Sequence, residues 1–253
     1  MKPIVRKIAS VTGWSLLGLF LAGPLAFSSR EMNDIECREI VVKYAGNSPI
    51  RLSEREVIRL AKSAGQQIIG KKLTEVNTGM IETEVAKNKT ILRADAFKSV
   101  VRDSSGFKGV VTLKVRHRTP VLRVISSQGN YYMDAKGHKI PPSVGYTADV
   151  QVATGNIRDE AAKEELIPLA AFIQKDRFWR AQIRQIHVNG TGNILFTTLV
   201  GDHLIEFGSP ENMEEKFRNL RAFYDQVLAE NNWNKYDRIS VKYKNQVIAK
   251  KNK

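Results

Sequence analysis

Cysteine is almost absent from this sequence, since Cys37 is the only one among 253 residues. A single cysteine excludes an intramolecular disulfide and a cysteine-rich metal site. Histidine is scarce too, and its four copies stand too far apart for the paired spacing of a metal-binding helix. The sequence therefore predicts no metal site, and we interpret Cys37 as a small residue of a strand.

Acidic residues are also in short supply, with 26 Asp and Glu against 40 Lys and Arg and a formal net charge of +14. Such an excess attracts anionic partners such as nucleic acid or lipid headgroups. The basic residues are scattered through amphipathic segments, however, and no groove-reading or base-stacking motif accompanies them. We therefore predict no nucleic-acid binding and interpret residues 250–253 as a solvated basic tail.

Motifs of the common catalytic classes are missing as well. The chain has no G-x-x-x-x-G-K-[ST] phosphate loop and no G-x-S-x-G elbow. Asp134 is the carboxylate that most resembles a catalytic acid, but it stands beside Gly137 in a predicted hairpin and is interpreted as a turn residue. The prediction is a protein that is not an enzyme, with no catalytic residue and no cofactor. A secreted hydrolase would need a catalytic constellation that these residues do not supply.

Charge is absent from Ile8 to Ser29, a stretch long enough for a helix to cross the ~30 Å hydrocarbon core of a bilayer. Basic residues precede the stretch with no acidic neighbour. The positive-inside rule then predicts a cytoplasmic tail at residues 1–7, a single transmembrane helix at residues 8–29 and an extracytoplasmic body. A cleaved signal peptide is the alternative, because Ala26-Phe27-Ser28 suits a cleavage site.

The first part of the body predicts the element order strand, helix, helix, strand, strand. A β-branched strand spans Ile35 to Tyr44, and Ser53 with Glu56 forms a capping box at the start of the first helix. Thr78 is the predicted cap of the second helix. Two further strands, joined by a turn at residues 103–106, complete this part: Ile91 to Arg102 and Phe107 to Arg116.

The second part predicts a mostly antiparallel sheet covered by two helices. One helix spans Asp159 to Gln174 and is kinked or shortened by Pro168. The other helix has Ser209 as its cap and Pro210 as its first residue, and its apolar stripe begins at Met213. The predicted strands between the helices are Ile183 to Val188, Ile194 to Val200 and His203 to Phe207.

Three motifs occur in order along the body. Residues 115–121 read V-R-H-R-T-P-V, residues 129–137 read G-N-Y-Y-M-D-A-K-G, and residues 239–243 read I-S-V-K-Y. The first two are similar to the V-x-E-R-x-P-x segment and the G-x-Y-x-x-D-x-x-G hairpin of the bacterial division family FtsQ/DivIB, and the third resembles its final strand. His117 stands where that family usually has a glutamate, and Ser240 where it usually has an aspartate.

This resemblance implies an α+β fold with a single N-terminal transmembrane helix and two domains. These are a POTRA domain (β-α-α-β-β) at residues 35–121 and an FtsQ-type β domain at residues 122–249. The implied function is a non-catalytic scaffold of the division septum, in the cytoplasmic (inner) membrane, that links early and late division proteins and influences septal peptidoglycan synthesis. The alternative is a membrane-anchored POTRA protein for outer-envelope assembly or transport, but the absence of several POTRA units and of barrel strands favours division.

For the site, residues Arg238 to Lys250 are predicted to form the last strand of a sheet, whose open edge can accept a partner's strand. The resemblance implies that FtsB/DivIC-like and FtsL-like bitopic division proteins are the partners, and that the contacts are Tyr243, Gln246, Val247, Ile248 and Ala249. The alternative is an ordinary edge strand protected by its lysines. A second surface, on the strand around Ile91 to Val101, is implied for other membrane proteins of the division complex.

Overall fold

The computed structural model of the protein describes residues 35–104, 106–143, 145–229 and 233–252. Over these residues the chain divides into two units, one made of residues 35–45 with Ser53–Arg116 and the other of Gly46–Leu52 with residues 117–252. The helices of the described part are all too short or too polar to cross a bilayer. The transmembrane helix predicted at residues 8–29 and the tail at residues 1–7 lie outside the described residues.

The first unit has the predicted order of strand, helix, helix, strand and strand. Its elements are β1 (Cys37–Ala45), α1 (Glu54–Lys62), α2 (Thr78–Ala86), β2 (Ile91–Asp103) and β3 (Gly106–His117), with a short 3₁₀ turn at Leu73–Glu75 before α2. The sheet order is β1-β3-β2, and β1 runs parallel to β3. β2, which is the longest strand of the unit, therefore lies at one edge of the sheet.

The two helices of the first unit begin at different kinds of cap. At α1 the capping box is confirmed, since the Glu56 N–H donates to Ser53 Oγ at 3.3 Å and the Ser53 N–H donates to Glu56 Oε2 at 2.8 Å. At α2 the prediction was wrong by one residue. Asn77 is the cap, because its Oδ1 accepts the N–H of Met80 at 3.2 Å and Thr78 is already helical.

Cys37 lies on β1, as predicted, and its side chain is fully buried. Its thiol donates to the carbonyl of Glu39 at 3.5 Å. Burial raises the pKa of the Cys37 thiol above its ordinary value, because desolvation disfavours the thiolate. The cysteine is therefore a packing residue of the strand.

The second unit is built on a nine-stranded sheet with the order β12-β11-β10-β9-β8-β7-β4-β5-β6. Five of its eight strand pairs are antiparallel, so the prediction of a mostly antiparallel sheet is confirmed. The strands are β4 (Pro120–Ser126), β5 (Gly129–Asp134), β6 (Lys139–Ile140), β7 (Gln151–Gly155), β8 (Ile183–Val188), β9 (Ile194–Thr198), β10 (Leu204–Gly208), β11 (Tyr236–Ser240) and β12 (Ile248–Lys251).

Helices of the second unit depart from regular α geometry where the sequence interrupts them. The helix predicted around Pro168 consists of α3 (Asp159–Ala161), a π-helical turn (Ala162–Leu166) and α4 (Ile167–Lys175), followed by α5 (Arg177–Gln182). Pro168 is the second residue of α4 and directly follows the π-helical turn, at whose end the Ile167 N–H donates to the carbonyl of Ala162. The predicted interruption at this proline is confirmed, and the structure locates it at the π-helical turn.

The last helix, α6 (Met213–Phe223), continues into a π-helical turn at Tyr224–Leu228. It begins three residues later than predicted, because Asn212, rather than Ser209, is the residue before the helix. Asn212 has a left-handed backbone (φ 52°), a conformation that asparagine tolerates better than most residues and that Pro210 cannot adopt. The stripe on α6 is core, as predicted, since Phe217, Leu220, Tyr224 and Leu228 are all buried.

Phe217 is the centre of the large core of the second unit. Its ring centroid lies 4.8 Å from that of Phe172, 5.0 Å from Phe207 and 5.2 Å from Trp179. Stacked and tilted aromatic pairs at these separations add to the free energy gained from burying their area. The cluster therefore joins α4, α5 and α6 to the face of the sheet.

The first two motifs of the sequence meet at an ion pair. Arg118, just before β4, lies 2.8 Å from Asp134 Oδ2 at the end of β5. Asp134 Oδ1 accepts the N–H groups of Lys136 and His138, both at 2.9 Å, so the prediction that Asp134 is a turn residue is confirmed. Burial alone would raise the pKa of Asp134, but the hydrogen bonds from His138, Arg118 and Lys136 hold it below its ordinary value.

The segment Gly46–Leu52 completes the second unit beside this ion pair. Ile50 is fully buried with Tyr132 and Ile140, and Ser48 Oγ donates to the carbonyl of Arg118 at 2.7 Å. The Leu52 N–H donates to His117 Nε2 at 3.0 Å. His117, which stands where the family usually has a glutamate, is thus a neutral ring that accepts a backbone hydrogen bond.

We predict that Arg118→Ala lowers the free energy of unfolding of the second unit by about 2 kcal/mol, because it leaves the largely buried Asp134 carboxylate without its charged partner. Urea unfolding in detergent, followed by tryptophan fluorescence, measures the change. Lys139→Ala is the matched control. It removes an ion pair to Asp159 at 2.6 Å that is almost half exposed, and it should cost less than about 0.5 kcal/mol. Equal effects of the two variants would contradict the prediction.

We also predict that acid weakens the second unit through His117 and His203. Desolvation by burial lowers the pKa of both imidazoles below the ordinary value of 6.5. The unfolded chain then binds protons below pH 6.5 that the folded chain does not, so stability is complete above pH 6.5 and falls as the pH drops towards the folded pKa values. Urea midpoints on both sides of that pH measure the loss, and His117→Gln/His203→Gln should flatten it. An unchanged pH dependence in that double variant would refute this origin.

Candidate partner-binding edge of the second unit

The predicted final strand is a hairpin in the structure. Residues 238–250 were expected to form one strand, but β11 ends at Ser240 and β12 begins at Ile248, with residues 241–247 as the connection. Of the five predicted contact residues, Ile248 and Ala249 lie on β12. Tyr243, Gln246 and Val247 lie in the connection, which turns through the left-handed residue Asn245 (φ 56°).

β12 is the last strand of the nine-stranded sheet. On one side it pairs antiparallel with β11, with Ile248 opposite Ser240 and Ala249 opposite Ile239. On its other side, no strand of the described part of the chain pairs with it. A strand in this position presents backbone N–H and C=O groups that a further strand can bond. The site is therefore the outer edge of β12 together with the connection before it, which we call the β12 edge.

Side chains of the β12 edge alternate between core and solvent. Val247 and Ala249 are partly buried and pack against the large core. Ile248, between them, is 49% exposed, and Tyr243 in the connection is 58% exposed. Successive residues of a strand face opposite sides of the sheet, so an added strand would meet Ile248 on the outer face and the backbone at the edge.

The surroundings of the β12 edge are basic. Arg238 contacts Glu206 Oε1 at 2.6 Å, and Lys250 Nζ lies 3.5 Å from Asp237 Oδ2. Lys242 and Lys244 are exposed and form no ion pair with the described residues. Lysines along an edge strand discourage pairing with another copy of a basic chain, while an acidic segment would be attracted.

The connection is held against the start of α6. The Asn245 N–H donates to Glu215 Oε1 at 3.1 Å. A cavity of about 130 Å³ lies between the first turn of α6 and residues 242–244. Beneath it Lys216 is buried, donates to the carbonyl of Ser209 at 2.7 Å and lies 5.0 Å from the centroid of the Phe207 ring. Burial lowers the pKa of Lys216, while the charges of Glu211 and Glu215 oppose that shift.

Sequence reasoning missed the role of Glu215. Glu215 lies in the first turn of α6, where any acidic side chain interacts favourably with the helix dipole. The hydrogen bond to Asn245 spans 30 residues of sequence. No local spacing signals such a contact, so only the folded chain reveals it.

The fold and the site together define a class: an α+β chain of two units whose larger unit carries a nine-stranded mixed sheet with an open last strand. Residues 119–250 match the family described as FtsQ/DivIB, C-terminal related. The chain belongs to the FtsQ/DivIB family of cell division proteins, and the resemblance inferred from its motifs is confirmed. The matched range contains the whole β12 edge except Lys251.

A curated relative has the same name as the family. Cell division protein FtsQ of Salinibacter ruber (strain DSM 13855 / M31) is 30% identical to this chain over 173 residues. The similarity covers 60% of this chain and 64% of that protein. The chain therefore spans less than two thirds of the length of the relative it matches.

We predict that Glu215→Ala loosens the connection without unfolding the second unit. Loss of one hydrogen bond to a charged group, worth about 1.5 kcal/mol, should speed amide hydrogen exchange at Asn245 and along β12 roughly tenfold. Hydrogen–deuterium exchange with mass spectrometry measures the rates. Glu214→Ala is the matched control, because Glu214 lies in the same helical turn and is exposed. Equal exchange in the two variants would show that the Glu215 contact does not position the site.

Proposed function

We propose that this protein is a non-catalytic scaffold of the division septum, anchored in the cytoplasmic membrane by residues 8–29. Residues 1–7 would lie in the cytoplasm and the two units outside it. Family membership supports the division role, and the basic residues before the apolar stretch support this orientation. The proposed domains are a POTRA domain at residues 35–121, which includes the first unit, and an FtsQ-type β domain at residues 122–249. The prediction of a basic tail at residues 250–253 was wrong for Lys250 and Lys251, which pair with β11 as part of β12.

The observation that carries the proposal is the open β12 edge. A partner segment can extend the nine-stranded sheet by pairing with β12, which yields main-chain hydrogen bonds for affinity and side-chain contacts for selectivity. We assign this role to an FtsB/DivIC-like bitopic division protein, with an FtsL-like protein in the same complex. The contact residues would be Tyr243, Gln246, Val247, Ile248 and Ala249.

Four of these proposed contacts differ in burial, which supports different roles for them. Ala249 and Val247 face the core, so they would hold the edge in place, while Ile248 and Tyr243 offer the exposed apolar area. Lys242 and Lys244 add positive charge beside them. The edge therefore favours an extended partner segment with an apolar residue opposite Ile248 and acidic residues near the connection.

The role in septal peptidoglycan synthesis would be indirect. Asp134, the carboxylate singled out in the sequence, is occupied by the turn and by Arg118. A scaffold that holds partners at the septum influences wall synthesis by recruiting and positioning the proteins that carry it out. No cofactor is required for such a role.

A second recognition surface is proposed on β2 of the first unit. β2 is an edge strand of 13 residues, and Leu92 and Phe97 are exposed along it. A long edge strand with exposed apolar side chains is a ready template for another chain. Other membrane proteins of the division complex would bind there.

Imaging of dividing cells tests the division role. The fluorophore belongs on the N-terminus, because β12 ends at Lys251 and a C-terminal tag would crowd the site. Midcell bands, with filamentation on depletion of the untagged protein, are the expected result. Uniform envelope fluorescence with normal division would refute the proposal and favour a POTRA protein of outer-envelope assembly.

We predict that Ile248→Asp weakens binding of the FtsB/DivIC-like partner at least tenfold, because it places a charge where an apolar contact and strand pairing are proposed. Affinity measurements with the purified partner, alongside unfolding curves, separate lost binding from lost fold. Leu199→Asp is the matched control, since Leu199 is 51% exposed at another place on the second unit. Undiminished affinity of Ile248→Asp would remove β12 from the site.

A further inference from the structure

The turn end of the β2–β3 hairpin carries an exposed apolar cluster. We define this hairpin tip as Val100, Val101 and Arg102 of β2 with Phe107 of β3. Phe107 is 62% exposed, and Val101 is 43% exposed. Arg102 lies over the Phe107 ring, with its guanidinium carbon 5.7 Å from the ring centroid.

The hairpin tip extends beyond the core of the first unit. Val100 and Val101 are neighbours in a strand and so face opposite sides of the sheet, yet both are exposed. Closer to the core, Ala94 and Ala96 on β2 and Val110 and Val111 on β3 are buried. Apolar residues exposed on both faces of a strand end have no role in packing this unit, so they point to a ligand surface.

The direction of β1 places the hairpin tip at the end of the sheet where the chain enters. β1 runs parallel to β3 with Cys37 opposite Gly109, and the Gly109 N–H donates to the carbonyl of Glu36 at 2.9 Å. β3 begins at Gly106, three residues before Gly109. The hairpin tip therefore lies about 10 Å beyond the level of Cys37, on the side from which the chain enters β1. Had β1 been antiparallel to β3, the chain would enter at the opposite end.

The predicted transmembrane helix ends at Ser29, eight residues before Cys37. Eight residues span at most ~28 Å when fully extended. If residues 8–29 cross the membrane, Cys37 lies within this distance of the bilayer, and the hairpin tip is at the same end of the sheet as Cys37. This step rests on the proposed anchoring.

We propose that the hairpin tip docks on the surface of the membrane, with its apolar side chains at the boundary between headgroups and acyl chains. The ligand class is an anionic phospholipid. The described part of the first unit has fifteen Lys and Arg against nine Asp and Glu, a net charge of +6. Arg102 stands at the tip itself, where a guanidinium can bind a phosphate while the Phe107 ring lies in the interface. Such a contact would fix the tilt of the first unit on the bilayer.

The test uses the full chain in lipid nanodiscs that contain phosphatidylglycerol. A Ser104→Cys variant carries an environment-sensitive fluorophore at the tip, and spin-labelled lipid headgroups act as quenchers. Lys114→Cys is the matched control, since Lys114 is an exposed residue of β3 about 23 Å along the strand from Phe107. Cys37 is fully buried and does not compete for the label under native conditions.

If the tip docks on the membrane, the fluorophore is strongly quenched at Ser104→Cys and weakly quenched at Lys114→Cys. Adding Val101→Ser and Phe107→Ser should abolish the difference. Arg102→Gln should lower the docked-to-free ratio of the tip about fivefold, the factor expected for one basic group beside an anionic surface. In discs of phosphatidylcholine alone, the docked-to-free ratio of the tip should fall by a similar factor.

Equal quenching at the two positions would overturn the inference. An unquenched tip in discs that hold only lipid and this chain would likewise overturn it, because docking on the bilayer needs no other component. Either outcome leaves the proposed scaffold role intact, because the chain would still be inserted in the disc and would still bind at the β12 edge. Failure of the chain to insert would instead refute the anchoring, and this inference with it.

Discussion

The ion pair between Arg118 and Asp134 connects the first two strands of the second unit, β4 and β5. It holds the start of β4 to the end of β5 at 2.8 Å, and the carbonyl of the same arginine accepts the hydroxyl of Ser48. Ile50 then enters a small core with Tyr132, beside the hydrogen bond from Leu52 to His117. A carboxylate this buried needs its donors, so breaking one contact leaves the others with unmet polar groups. The ion pair therefore lies where three stretches that are separate in the sequence contact one another, around Ser48, Arg118 and Asp134.

At the other end of the sheet, the aromatic core positions the last strand. Phe217 packs α6 against β10 through Phe207. The first turn of α6 supplies Glu215, which holds Asn245 and so places the connection before β12. The β12 edge is thus positioned by the core, through a helix, rather than by its own short strand. A four-residue strand has little stability of its own, and it depends on this support.

The two ends of the nine-stranded sheet differ in a way that suits recognition at one of them. β6 has two residues and offers almost no edge, whereas β12 has four and is bordered by lysines. Short, charged edges resist indiscriminate pairing. In the proposed function, the same features would admit an acidic and apolar partner segment that is complementary to them. The second unit therefore combines protection against aggregation with one open edge.

Local patterns by themselves determined much of this protein. The capping box of Ser53 and Glu56, the turn at Asp134 and the interruption at Pro168 depend on contacts within a few residues, and so could be predicted. So could the family, from motifs whose order is visible in the chain. Only the tertiary structure decided that residues 238–250 form a hairpin, that Glu215 holds Asn245 and that α6 starts after Asn212. These features depend on packing and hydrogen bonds between residues far apart in sequence, for which no local periodicity exists.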